Sequence, residues 1–122
     1  MSFRIASIVS GLFLLVTINV AQDGGSTQRL DFPNGKTSTR VKGAVDLMNP
    51  DAYVLTLRAG QRLTVKLKGN GVFVRLLSPT NRIDVQDNQR FDRTVTETGD
   101  YRIVVNCFAP KQLRYAFDVR VQ

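Results

Sequence analysis

The sequence predicts an all-β domain, an antiparallel β-sandwich or jelly roll of eight or nine short strands. Apolar residues alternate with period two through most of the chain, and turns rich in Gly, Pro and Asn interrupt the alternation at short intervals. Beyond the first twenty or so residues no segment sustains a 3.6-residue period, so helix is expected to be almost absent.

The expected strands follow in order. R-L-D-F and T-S-T-R-V-K-G-A-V-D-L read as two, separated by P-N-G-K. Tyr53, Leu55 and Leu57 share one face of the next, and A-G-Q turns the chain. Leu63, Val65 and Leu67 share a face of R-L-T-V-K-L-K, which ends at G-N-G. V-F-V-R-L-L then places Val72, Val74 and Leu76 inward and closes on S-P-T-N. R-I-D-V, a polar loop Q-D-N-Q-R and F-D-R-T-V-T-E lead to the turn T-G-D. Tyr101, Ile103 and Val105 form the inward face of the strand after it, with Cys107 continuing the alternation as a buried thiol. Tyr115, Phe117, Val119 and Val121 line the last strand.

The chain has 122 residues, which suits one domain. Residues 1–21 read as a secretory signal peptide: Arg4, then an apolar run, then Ala21 before a polar D-G-G-S-T stretch. An uncleaved anchor is the rival reading of that run. Cleavage would leave a flexible linker at 22–28 and a sandwich at 29–122, in a protein that is periplasmic or secreted and not integral to a membrane. Residues 1–21 hold Arg4 and no acid, so the remainder carries 16 basic against 10 acidic residues, a net charge of +6. That balance favours an anionic partner, and the export signal argues against nucleic acid. The outward strand positions hold Arg58, Lys66, Lys68, Arg75, Arg102, Arg114 and Arg120, a potential basic patch or a means of keeping sheet edges from pairing.

Catalysis finds little support. There is no histidine, and the single cysteine, Cys107, has neither a disulfide partner nor a base. D-V-Q-D-N-Q-R-F-D offers Asp84, Asp87 and Asp92, a carboxylate set that glycoside hydrolysis could use; with Asn88 they offer oxygen ligands for calcium, but their spacing fits no EF-hand and a polar loop is rich in Asp and Asn for turn chemistry. No cofactor motif and no metal site is expected. There is no tryptophan, and the three tyrosines fall on inward faces, which leaves Phe108 as the aromatic expected at a loop tip.

K-G-A-V-D-L-M-N-P-D-A-Y-V-L-T-L-R-A-G-Q-R-L-T-V-K-L, L-L-S-P-T, T-G-D-Y-R-I-V-V and Y-A-F-D-V-R-V together resemble the periplasmic inhibitors of goose-type (g-type) lysozyme and, beyond them, the pre-peptidase C-terminal (PPC) domains. The resemblance runs from about residue 29 to 121, through Gly43, Tyr53, Gly60, Gln61, Leu63, Val65, Leu76, Pro79, Gly99, Tyr101 and Tyr115. It implies a non-catalytic binding protein whose partner is a g-type lysozyme, with Thr98, Gly99 and Tyr101 as candidate contacts; Thr98 stands where those inhibitors carry serine. The inhibitors also carry a longer polar loop before the last strand, where this chain has F-A-P-K-Q-L; Phe108, Lys111, Gln112 and Arg114 are the candidates there. A freestanding PPC-like module that binds an anionic cell-envelope polymer or a partner protein is the alternative. Basic residues grouped with Phe108 and the Thr98 turn at one end would favour the inhibitor, and basic residues spread over a sheet face the module. Convergence of Asp84, Asp87 and Asp92 would favour a metal site or an enzyme.

Overall fold

The computed structural model describes residues 26–32 and 37–122, so the signal segment at 1–21 and the P-N-G-K separator lie outside the described residues. Nine strands are present among the described residues and no helix: β1 (Ser26–Arg29), β2 (Ser38–Val45), β3 (Asp51–Leu57), β4 (Arg62–Lys68), β5 (Val72–Leu77), β6 (Ile83–Asn88), β7 (Arg90–Thr94), β8 (Gly99–Cys107) and β9 (Leu113–Val121). They form one sheet of order β1-β3-β8-β5-β6 and another of order β2-β9-β4-β7. From β2 onward each link crosses between the sheets except that between β5 and β6, which is the wiring of a jelly roll.

Three details differ from the sequence reading. Strand β1 pairs parallel to β3, from Ser26 opposite Asp51 to Arg29 opposite Val54. The chain crosses to the second sheet as β2 and returns as β3, and two reversals leave β1 and β3 pointing the same way. The sandwich also begins at Ser26, inside the stretch expected as linker, because the Ser26 hydroxyl donates to Asp51 Oδ1 at 3.1 Å and the backbone pairs with β3. The polar loop expected after R-I-D-V is instead mostly strand: β6 runs to Asn88, and only Gln89 separates it from β7.

Every residue assigned inward from the alternation is buried, from Tyr53 through Val119, and Val45, Val85, Val95, Cys107 and Val121 complete the core. Two polar residues are buried as well, Ser78 and Asp51. Asp51 is 7% exposed, and the Tyr115 hydroxyl donates to its Oδ2 at 2.6 Å. The Tyr53 and Tyr115 hydroxyls lie 2.5 Å apart; since Tyr115 gives its proton to the carboxylate, Tyr53 donates to Tyr115. Burial pushes the Tyr53 hydroxyl up to about 12 and raises that of Tyr115 as well. Gly43 stands opposite Tyr115 in register, and a Cβ there would overlap the Tyr115 ring, which accounts for the glycine.

Candidate functional site

The seven sequence candidates divide between the two ends of the sandwich, Gln112 lying with Lys111 in the loop before β9. Thr98, Gly99 and Tyr101 lie where β8 starts, and Phe108, Lys111 and Arg114 lie at and beyond its finish. Strand β8 has 9 residues, so at about 3.4 Å per residue the Gly99 end and the Cys107 end are roughly 27 Å apart. One compact contact cannot include both groups.

At the Gly99 end the candidates hold the fold together. The Tyr101 hydroxyl donates to the Glu97 carbonyl at 2.8 Å and accepts from the Glu97 amide at 3.1 Å, closing the turn as a tyrosine corner. The Tyr101 ring is fully buried. Gly99 has φ of 151°, and a Cβ there would come within 2.9 Å of Pro79. Thr98 Oγ1 accepts from the Ala59 amide at 3.0 Å, pinning this turn to the one between β3 and β4. Two of the neighbouring cations are neutralised in place: Arg82 reaches Glu97 at 2.6 Å and Asp84 at 3.2 Å, and Arg29 reaches Asp100 at 2.8 Å, while Arg58 and Arg102 stay exposed without a carboxylate at ion-pair distance among the described residues.

The Cys107 end is different in kind. Asp46 Oδ1 accepts from the Met48 amide at 2.9 Å, and the Asn49 amide closes on the Asp46 carbonyl at 3.1 Å. This Asx-capped turn puts Leu47 and Met48 at its two central positions, 49% and 79% exposed. The Leu47 amide donates to the Ala109 carbonyl at 2.9 Å, which sets the turn beside the loop that carries Phe108. Phe108 is 67% exposed and rests against Phe73, ring centroids 5.7 Å apart. Exposed Lys111 follows in the same loop, and exposed Arg114 at the start of β9. The result is an apolar knob, followed in the chain by two cations, at the end of the sandwich where Asp51 opens β3. Tyr115 lies two residues into β9, so the buried Asp51–Tyr115–Tyr53 chain orders both loops' anchoring strands.

Leu47 and Met48 do not stand out in the sequence, because V-D-L reads as the end of a strand. D-L-M-N-P carried the signal: Asp and Asn three apart before Pro describe a tight turn, and two large apolar residues at its tip are not turn chemistry.

The three carboxylates considered for a metal do not converge. Asp84 pairs with Arg82, Asp87 with Arg75 at 3.2 Å and Asp92 with Arg62 at 2.5 Å. No cluster of three metal-binding side chains occurs among the described residues. Most of the unpaired basic residues among those described collect over the outer face of the second sheet. There Arg40 forks onto Asp118 at 2.7 and 3.1 Å. Its guanidinium, with Lys68 and Lys66 beyond, holds the Asp118 carboxyl below the usual carboxylate range.

No family model matches the chain, and no curated protein matches it in sequence. Solved structures do. The periplasmic inhibitor of g-type lysozyme PliG from Aeromonas hydrophila superposes with a TM-score of 0.73 at 21% identity, covering 80% of this chain and 98% of the inhibitor. PliG from Salmonella Typhimurium gives 0.68 at 20%, covering 80% and 99%. This chain has their fold. The pre-peptidase C-terminal domain of a collagenase from Bacillus anthracis follows at 0.56 and 11%, covering 84% of this chain and 100% of that domain.

Proposed function

We propose that the chain is an exported, non-catalytic inhibitor of g-type lysozyme, acting in the periplasm, and that its Cys107 end meets the enzyme. The fold likeness to two periplasmic inhibitors of that enzyme, spanning nearly their whole length, supports the class of function. The observation that carries the site is the knob of Met48 and Phe108, with Leu47 beside it and exposed Lys111 and Arg114 following Phe108 along the chain.

A lysozyme cleft holds catalytic carboxylates and is shaped for a sugar chain. These cations would speed encounter and set orientation, while apolar side chains seated in the cleft would supply most of the affinity. Phe108, Lys111 and Arg114 belong to this surface. Thr98, Gly99 and Tyr101 act through the fold, because their hydrogen bonds and packing are directed inward.

Peptidoglycan lysis by a g-type lysozyme, titrated with the purified protein, tests the reading. Stoichiometric loss of activity is expected, with chicken-type lysozyme titrated in parallel as the comparison. No inhibition of the g-type enzyme at large excess would sink the proposal. A second reading, a module that binds an anionic envelope polymer, draws on the cations over the second sheet. It uses a different surface and is compatible with the first.

A further inference from the structure

The outer face of the second sheet concentrates positive charge that the fold does not neutralise. Its two carboxylates, Asp118 and Asp92, are taken by Arg40 and Arg62 in two-point contacts. Lys42, Lys66, Lys68, Arg90, Arg114 and Arg120 also project from this face, and among the described residues none has a carboxylate at ion-pair distance. The outer face of the first sheet carries less uncompensated charge: Arg29 and Arg75 are paired with Asp100 and Asp87, Arg102 is exposed without a carboxylate at ion-pair distance among the described residues, and Ala52, Val54 and Val104 are half-buried.

Edge protection does not explain these cations. Lys66, Lys68, Arg114 and Arg120 stand on β4 and β9, the two central strands of the sheet. Lys66 lies directly opposite Arg90 in register, a like-charge pair that costs stability where nothing neutralises it. They border an open concavity of about 570 Å³ whose polar lining is Arg62, Thr64, Lys66, Arg90, Asp92, Arg120 and Gln122, with the Asp92 carboxylate held by Arg62. Neutral hydrogen-bonding groups thus alternate with cations. The large exposed apolar residues, Leu47, Met48, Ile83 and Phe108, all lie off this face, so it offers nothing to insert into a bilayer.

We infer that this face binds an acidic polysaccharide, a linear carboxylate-bearing chain lying across β9, β4 and β7. Its carboxylates meet Lys66, Arg90 and Arg120, and its hydroxyls meet Thr64 and Gln122. The inference stands independently of lysozyme inhibition, which uses the Cys107 end.

The test is binding of polygalacturonate to the purified exported protein, with neutral dextran as control and phosphatidylglycerol vesicles as the competing occupant. Binding of polygalacturonate but not dextran at low salt is expected, falling steeply as salt rises. The combined Lys66→Gln, Lys68→Gln, Arg120→Gln variant should lose about tenfold or more in affinity by releasing fewer counterions, with lysozyme inhibition unchanged. Arg90→Gln is the second variant: it relieves the like-charge contact, so it should fold at least as stably and still bind the polymer less well. No binding at low salt, or equal binding by both variants, overturns the inference. Tighter binding to the vesicles than to the polymer overturns it too, by making a bilayer the occupant.

Discussion

At the Gly99 end, Thr98 and Tyr101 direct their hydrogen bonds inward and Arg82 and Arg29 are paired; at the Cys107 end, Leu47, Met48 and Phe108 stand in solvent, with exposed Lys111 and Arg114 following Phe108 along the chain. Both ends are made of short turns between the same two sheets, and each has tyrosine hydroxyls beneath it. The difference lies in where the polar groups find partners. Where the turn satisfies itself, the end is structural. Where a satisfied turn holds apolar side chains outward, the end is available to a partner. Resemblance pointed to both ends, and only the direction of the side chains separates them.

The largest test of that contrast concerns the supports under each end. Tyr115→Phe leaves the buried Asp51 carboxylate without its 2.6 Å donor and strands the Tyr53 hydroxyl. The expected loss is about 3 kcal/mol of unfolding free energy in urea titrations. Tyr101→Phe removes two bonds to the Glu97 backbone, which is partly open to water, and should cost about 1 to 2 kcal/mol. If Tyr101→Phe proved the more damaging, the view that the Cys107 end rests on the deeper network would be wrong.

Next in size is the effect on inhibition. Phe108→Ala with Met48→Ala should weaken inhibition of g-type lysozyme by about 2 kcal/mol or more, roughly thirtyfold, while the melting temperature barely moves. Thr98→Ala should do the reverse, lowering stability through the lost Ala59 contact by about 1 kcal/mol and leaving inhibition intact. An inhibition defect in Thr98→Ala at full folding would transfer the contact surface to the other end.

The smallest effect at neutral pH becomes visible in alkali. In the fold Tyr53 keeps its proton to about 12, whereas an unfolded tyrosine releases it near 10. The stabilisation is therefore complete below about pH 10 and drains away as pH rises toward 12, because the unfolded chain ionises first. Urea midpoints measured from pH 9 to 12 should fall across that window, and Tyr53→Phe should flatten the fall.

Alternation made the sandwich legible: the inward positions read from the sequence are all buried, because a period of two commits each side chain to one face once the strand is extended. Turn chemistry was legible at Gly99 and Gly60, where glycine adopts positive φ. The site was half legible. Phe108, an aromatic in a loop, stood out in the sequence; Met48 did not, because a strand reading absorbed the turn that exposes it. Asp51 was not legible, because nothing local to it indicates a tyrosine hydroxyl 64 residues away.

What the sequence determined by itself is therefore local: strand faces, turn positions, the absence of histidine, the surplus of positive charge. Tertiary structure alone decided what is adjacent. It put Thr98 and Phe108 at opposite ends, set Leu47 and Met48 beside Phe108, and gathered Lys66, Arg90 and Arg120 on one face. The physical reason is that a jelly roll joins strands far apart in the chain, so the register of non-local pairs, which no short segment encodes, chooses which residues meet.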